Sequence, residues 1–403
     1  MKIVSIHTYL VDVYRTNWLF VKVVTDEGIT GVGEGTLEGR EKTVVAAVDE
    51  LARVLVGEDP FAIEGLHLRM QRDSYWRTGP VLSTAISAVD LALWDIKGKA
   101  LGVPVYELLG GRIRDRVKVY ANSWFYGSRT AAEFADKAAA TVAQGFRGLK
   151  WDPFGTAYLS LSTAEIRAAM ANVAAVRDAA GPDVDLMIEG HGRFDVATAI
   201  QVGRELRAFN VRWFEEPTLP DRGRNTAAVR RAIEVPVAAG ERTYSRFDCA
   251  DLLDADAVDI LQPDVCHVGG LTEMKRISAL ADAVNIPIAP HNPYGPVCHA
   301  ATLQFAATCH NFLVLETFIT DVPWRGDLTN EAVRFEDGCF VISDKPGLGI
   351  ELNEDVFGKY PYQPHDLRHY TGKLTDIRPP GAGRWFAEHN TEARPLAANE
   401  RRG

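Results

Sequence analysis

Asp185-Leu-Met-Ile-Glu189, Val211-Arg-Trp-Phe-Glu215, Val235-Pro-Val-Ala-Ala-Gly-Glu241, Val258-Asp-Ile-Leu-Gln-Pro-Asp264, Ile286-Pro-Ile-Ala-Pro-His291 and Leu313-Val-Leu-Glu316 share one design: a short apolar run closed by an acid or a histidine. The closing residues follow one another at intervals of 26, 26, 23, 27 and 25 residues. An interval of that size holds one buried parallel strand, a crossover helix and two short loops. Strands that each end on a chemically competent residue are the layout of a β/α barrel, whose active site lies at the C-terminal ends of its strands. The stretch therefore predicts strands three to eight of an α/β fold of the TIM-barrel type.

Working outward, Val117-Lys-Val-Tyr-Ala121 and Gly148-Leu-Lys-Trp-Asp152 supply strands one and two, with helices expected over 131–144 and 164–180. Upstream, residues 2–13 alternate apolar and polar as a half-buried strand does, and 18–25 and 29–34 add two more in an antiparallel meander. Helices follow over 43–56, 61–73 and 82–99; Ala85, Ala88 and Ala92 in the last of these predict close packing against a neighbour. Beyond Thr320, Pro, Gly and short strands return, and from Ile377 onward the composition predicts a loosely held tail.

The bulk composition sets the limits. A chain of 403 residues is long for one domain, so two are expected. It is 46% hydrophobic and 24% charged, without an apolar run long enough to span a bilayer. The start, Met1-Lys-Ile-Val-Ser-Ile-His-Thr, lacks the features of a secretory signal, which makes the cytoplasm the expected location. A net charge of -10, with no basic block before the last few residues, argues against nucleic acid or an anionic membrane as partner. Five cysteines at irregular spacing, with no Cys-x-x-Cys pair, read as reduced thiols.

Glu189, Glu215 and Glu241 close consecutive strands. Adjacent parallel strands lie ~4.8 Å apart, so three such side chains can converge on one point. One glutamate at a barrel rim ordinarily pairs with a Lys or Arg, whereas three together repel and raise one another's pKa unless a divalent cation joins them. All-oxygen ligation favours Mg²⁺ over Zn²⁺. Asp264 and His291 close the next two strands; a carboxylate beside an imidazole fixes its tautomer and raises its basicity, as a proton-abstracting base needs. His267 reads as loop structure. His191 lies two residues past Glu189, between Gly190 and Gly192, where the backbone can turn and hold the imidazole over a cavity.

The segment Ala88-Val-Asp-Leu-Ala-Leu-Trp-Asp-Ile-Lys-Gly-Lys-Ala-Leu-Gly-Val-Pro-Val-Tyr-Glu-Leu-Leu-Gly-Gly111 closely resembles a signature of the mandelate racemase group within the enolase superfamily. Leu149-Lys-Trp-Asp-Pro-Phe-Gly155, Ile188-Glu-Gly-His-Gly-Arg-Phe194 and Ala239-Gly-Glu-Arg-Thr243 resemble the gluconate and galactonate dehydratases of that group. The resemblance implies an α+β capping domain over residues 1–116, a modified barrel over 117–322, and a segment over 323–403 that returns to the cap. It implies Glu215 rather than Glu216 as the ligand, with Glu216 and Arg242 in support. It also implies the Asp264–His291 dyad as base and His191 as general acid. Glu316 is implied to lie beside the substrate carboxylate, and Trp18, Tyr75 and Arg77 to lie in capping segments that close over the barrel mouth. Exposed aromatics without such a role are the alternative for that last group. Many members carry Lys-x-Lys on strand two; here Lys150 is followed by Asp152, which puts two-base racemisation from this strand in doubt. Lys150 then either binds a substrate carboxylate, orients a base, or forms a plain rim ion pair.

These parts suit abstraction of a proton α to a carboxylate. The reading is a Mg²⁺-dependent sugar-acid dehydratase: loss of the C2 proton to His291, a metal-stabilised enediolate, and elimination of the 3-hydroxyl assisted by His191 to give a 2-keto-3-deoxy acid. An epimerase using both histidines and a non-catalytic acid-sugar-binding barrel are the alternatives. The implied partners are a small-molecule sugar acid and further copies of the same chain, since homo-oligomers are usual in the group.

Overall fold

The computed structural model describes residues 1–73, 75–330, 333–366 and 374–388. The first unit is an antiparallel meander of β1 (Ile3–Asp12), β2 (Asn17–Thr25) and β3 (Thr30–Glu34). Helices α1 (Glu41–Leu55), α2 (Ile63–Leu68) and α3 (Pro80–Leu101) follow, with a single π-helical turn after α2 and a one-turn helix, α4 (Val105–Leu108), closing the unit. Every second residue of β3 on the side facing α3 is glycine. A Cβ at Gly31 would lie 2.0 Å from the carbonyl oxygen of Ala92, and one at Gly33 would lie 1.8 Å from that of Ala88. The close packing predicted from the alanines of α3 is thus a backbone-to-backbone approach that leaves no room for a side chain. Helix α3 is buried nearly all round because its other face meets the barrel: Asp90 accepts from the backbone N–H of Thr272 at 3.1 Å, and Trp94 Nε1 donates to the Thr272 hydroxyl at 2.9 Å.

The barrel alternates β4 (Arg116–Asn122), α5 (Ala131–Ala143), β5 (Gly148–Trp151), α6 (Thr163–Ala180), β6 (Asp185–Glu189), α7 (Val196–Leu206), β7 (Trp213–Glu215), α8 (Gly223–Ala232), β8 (Val237–Ala239), α9 (Arg246–Asp254), β9 (Ile260–Leu261), α10 (Gly270–Ala283), α11 (Pro296–Thr308) and β10 (Leu315–Phe318). Thr130 and Ser162 start α5 and α6 with reciprocal capping boxes to Glu133 and Glu165. Strands β4 to β9 pair in order and in parallel, and β10 pairs back to β4. The predicted seventh strand, 286–291, is reduced to isolated bridges in which Ile288 pairs with Leu261 and with Phe312. The cause is in the sequence: Pro287, Pro290 and Pro293 have no N–H to give a ladder. Tyr120, Met187, Trp213, Ala238, Ile260, Ala289 and Val314 form one buried cluster contributed by seven of the barrel's strand positions, including 286–291. This fills the interior beneath the mouth, as in other barrels of this class.

After β10 the chain forms α12 (Arg325–Leu328) and the hairpin β11 (Arg334–Glu336) and β12 (Cys339–Val341), whose second strand pairs with the start of β4. It then crosses to the cap. Val105 N donates to Gly347 O at 2.9 Å, Asp12 N donates to Tyr360 O at 3.0 Å, and Phe357 stacks on Phe20 with centroids 5.7 Å apart. The loosely held tail predicted from Ile377 is corrected over 377–388. Phe386 is buried, Trp385 Nε1 donates to Phe318 O at 2.6 Å, and β13 (Ala387–Glu388) pairs with β11. Two aromatics outweigh the Pro- and Gly-rich composition around them; the rest of that tail, 389–403, lies outside the described residues. All five cysteines are free thiols, four of them buried. Among the described residues no helix is long and apolar enough to cross a membrane.

Candidate active site

Glu189 and Glu215 are the last residues of β6 and β7, while Glu241 lies two residues beyond β8. One carboxylate oxygen from each lies within 4.8 Å of the others. Strand alternation explains the first two, since Met187 and Glu189, like Trp213 and Glu215, point into the barrel with Ile188 and Phe214 turned outward to the helices. Lys150, on the inward face of β5, stands among them. Its Nζ is 2.6 Å from Glu215, 2.9 Å from Glu316 and 3.3 Å from Glu189. Glu215 also accepts from Trp213 Nε1 and Gln262 Nε2, both at 2.9 Å. Burial, followed by repulsion from Glu189, pushes Glu215 up to about 8 despite the nearby ammonium.

Glu316 is the second residue of β10 rather than its end. Burial alone would raise its pKa, but Lys150, His291 and hydrogen bonds from Asn292 and Asn122 outweigh it and hold the carboxyl at about 2. Glu316 lines the cavity, and with its own carboxyl ionised a direct contact with a substrate carboxylate would need the proton to sit on the substrate. What it does hold is Lys150, Asn122 Nδ2 at 2.7 Å and the backbone N–H of Asn292 at 3.0 Å.

This donor set fits a divalent cation. Glu189 Oε2 is buried and makes no hydrogen bond, its neighbour being the Lys150 ammonium at 3.3 Å. One ammonium faces three of the four carboxylates gathered here, and Glu241, the fourth, lies beside His291. The surplus is negative and the donors are all oxygen, as hard cations require.

His291 Nδ1 donates to Asp264 Oδ2 at 2.7 Å, and the fully buried Asp264 is fixed in turn by the backbone N–H of Cys266, 2.7 Å from its Oδ1. Nε2 of His291 is 3.7 Å from Glu241. Burial alone would lower His291, but Glu241 and the bond to Asp264 dominate and raise it to about 10. His191 adopts φ +50, and its N–H donates to Glu189 Oε1 at 2.7 Å. Gly192 after it has φ +63, and a Cβ there would lie 1.9 Å from Arg242 Nη2. Arg242 pairs with Glu216 through Nε at 3.0 Å and Nη2 at 2.5 Å. Burial and repulsion from Glu241 raise Glu216 to about 7 even so.

A cavity of about 240 Å³ brings together Lys150, Glu189, His191, Glu241, Arg242, His291 and Glu316. A side chamber of about 60 Å³ opens beside His191 and Asp152 and is walled by Phe125, Leu374 and Ile377. A larger hollow of about 370 Å³ lies behind the Glu216–Arg242 pair and touches neither histidine. The capping residues expected at the mouth are elsewhere. Trp18 is buried against Phe20 and under Arg325, while Tyr75 and Trp76 stand in solvent, and neither Tyr75 nor Arg77 lines the cavity. Trp18 is drawn inward because the cap packs on the barrel there, which leaves the hairpin tip between β1 and β2 to reach the mouth. Arg15 from that tip lines the cavity with Leu37 and Glu38; its guanidinium donates to Glu38 at 2.5 Å and to Pro293 O at 3.0 Å. Sequence reasoning missed these three; the available signal was their position in loops between cap elements, where binding residues collect. His267 also lines the cavity, with Thr84 Oγ1 and Tyr294 OH at 2.9 and 3.0 Å from its two ring nitrogens, and burial lowers its pKa.

The chain is also similar to known proteins. Residues 2–110 match the family described as "Mandelate racemase / muconate lactonizing enzyme, N-terminal domain", and residues 133–356 match "Enolase C-terminal domain-like". The chain is 40% identical over 382 residues to a D-galactonate dehydratase of Variovorax paradoxus, covering 93% of this chain and 98% of that one. It is 38% identical over 351 residues to a D-gluconate dehydratase of Thermoproteus tenax, covering 87% and 71%. Among solved structures, a putative dehydratase from Mesorhizobium loti superposes with a TM-score of 0.85 at 35% identity, covering 90% of this chain and 99% of the other.

Proposed function

The chain belongs to the mandelate racemase group of the enolase superfamily, and from that premise we propose that it removes water from an aldonate such as gluconate or galactonate. In class it is a hydro-lyase for a sugar acid, as its relatives are named. The observation that carries the proposal is that two aspartate-bound histidines open onto one cavity with the carboxylate cluster.

Glu189, Glu215 and Glu241 would hold Mg²⁺, which when bound supplies positive charge to the substrate carboxylate and to the charge that develops there on proton loss. Glu241 is the main charge that raises His291, and a cation on that carboxylate would remove this pull. With Nδ1 tied to Asp264, the neutral His291 then offers Nε2 to the C2 proton and takes it. Lys150 adds a fixed positive charge beside the same carboxylate. His191 gives a proton to the 3-hydroxyl as the C3–O bond breaks, water leaves, and the enol becomes a 2-keto-3-deoxy acid. Arg15, Leu37 and Glu38 cover the mouth and contact the far end of the substrate.

The test is incubation of the purified protein and Mg²⁺ with a panel of aldonic and aldaric acids, reading 2-keto acid formation. Keto product from one or a few members is expected. No keto product from any of them would sink the proposal, and deuterium entering C2 of the substrate without water loss would point to an epimerase instead.

A further inference from the structure

We propose that Asp152 is the positioning residue of His191, so that the site contains a second aspartate–histidine pair serving the acid as Asp264 serves the base. The inference rests on the reading of His191 as the proton donor above. Asp152 stands one residue past β5, at a position where the sequence lacks the second lysine of a Lys-x-Lys pair. Its side chain is 2% exposed, and its Oδ2 lies 2.7 Å from His191 Nδ1. Its other oxygen, Oδ1, accepts the backbone N–H of Phe154 at 2.8 Å. Arg193, fully buried, donates to Oδ2, and its remaining donors tie down Gly190 O and Gly155 O, both at 3.0 Å.

The arrangement clamps one histidine from two directions. Its backbone is held to Glu189 and its ring to Asp152, so the imidazole presents its Nε2 edge on the cavity side. A lysine at 152 would place an ammonium against the Arg193 guanidinium, so Asp152 and Arg193 stand or fall together. A purely structural reading would have Asp152 serve only to neutralise a buried arginine. That reading leaves the bond to Nδ1 unexplained, and it makes a different forecast for substitution.

In Asp152→Asn, the amide oxygen stays on the Phe154 N–H and the amide NH₂ faces Nδ1, so the ring loses its acceptor. Asp152→Glu keeps a carboxylate for Arg193 but displaces it by one methylene from the ring, which guards against a misfolded Asn variant. Both variants are assayed with Mg²⁺ and substrate in deuterium oxide. Elimination is expected to fall ~10²-fold in kcat with KM little changed, the share a positioned general acid supplies. Deuterium is expected to accumulate at C2 of recovered substrate, because His291 still abstracts while the intermediate returns more often than it eliminates. Wild-type kcat in Asp152→Glu, or equal loss of elimination and exchange, would overturn the proposal.

A proton resonance of the His191 Nδ1–H, identified by its disappearance in His191→Gln, gives a readout independent of turnover in isotope-labelled, Mg²⁺-loaded protein. It is expected strongly downfield in wild type and displaced in both variants. A resonance that does not respond to Asp152 refutes the pairing. If the wild type dehydrates no sugar acid, the functional reading fails by itself, and this resonance still decides whether Asp152 orients His191.

Discussion

Replacing Asp264 by Asn changes one atom and should silence the base. The backbone N–H of Cys266, 2.7 Å from Asp264 Oδ1, can only donate, so the asparagine oxygen must stay there. That leaves the amide NH₂ at the place of Oδ2, 2.7 Å from His291 Nδ1. Two donors cannot share that distance, so the imidazole moves its proton to Nε2 and loses the lone pair that takes the C2 proton. Restoring the productive tautomer means flipping the amide, which leaves the buried Cys266 N–H facing another donor at ~1–3 kcal/mol and replaces a charge-assisted bond worth ~1.5–3 kcal/mol. Together these place the competent arrangement ~2.5–6 kcal/mol uphill, or about two to four decades in kcat at ~1.4 kcal/mol per decade. The assay is kcat for keto-acid formation together with deuterium exchange at C2, and both should fall in parallel because abstraction precedes elimination. A variant that keeps more than a tenth of wild-type turnover, or that exchanges at the wild-type rate while failing to eliminate, would refute the assignment of His291 as the base.

Lys150→Met removes the ammonium that stands among Glu189, Glu215 and Glu316, and unfolding in chelator should show a loss of ~3–5 kcal/mol, the usual cost of stranding buried charge. Saturating Mg²⁺ should recover part of that loss, and equal losses with and without the cation would argue against a shared metal site. Glu34, fully buried, is raised from 4.5 to about 7, with burial as the leading cause. Its folded form therefore keeps a proton that its unfolded form has lost, so the contribution is complete below about pH 4.5 and gone above about pH 7, a span of ~3 kcal/mol. The difference in unfolding free energy between pH 5 and pH 8 should shrink accordingly in Glu34→Gln; an unchanged difference would contradict the placement. Gly33→Ala forces a methyl to within 1.8 Å of the Ala88 carbonyl oxygen and should cost ~3 kcal/mol, at the upper end of overpacking, read as a lowered melting temperature and early proteolysis of the cap. A melting temperature matching wild type would show that β3 and α3 can part without cost.

Much of this molecule is legible in its sequence because a parallel barrel repeats its own length. The interval from Glu189 to Glu316 measures a strand, a helix and their loops, and period two along β6 and β7 puts two of the three clustered carboxylates on the inner face. What the interval does not carry is pairing, which is why the seventh strand reads as a strand although its prolines leave it only bridges. Relations between distant segments are equally silent. Arg15 meets Pro293 across 278 positions, and nothing local in Tyr14-Arg15-Thr16 announces the barrel mouth. Trp18 is expected at the mouth because the resemblance puts its segment there; the face of the strand on which it falls is a matter of packing on the barrel, which turns it inward. Asp152 is visible in the sequence as a departure from Lys-x-Lys, but its meaning lies in the distances to His191 and Arg193.

The thin seventh strand also bears on how such enzymes can be recombined. His291 sits on backbone that the sheet scarcely grips, and the segment after it is secured from the cap: Glu34 accepts the N–H groups of Gly295 at 2.7 Å and of Cys298 at 2.9 Å, at the head of α11. The base is therefore seated from two sides, by Glu316 of the barrel through Asn292 and by a residue 257 positions upstream, on the part of the chain whose loops line the cavity. Cap and barrel are not interchangeable modules. A cap grafted from a relative without a carboxylate at this point could bring a new specificity, yet it would deliver it to a barrel whose base has lost one of its moorings.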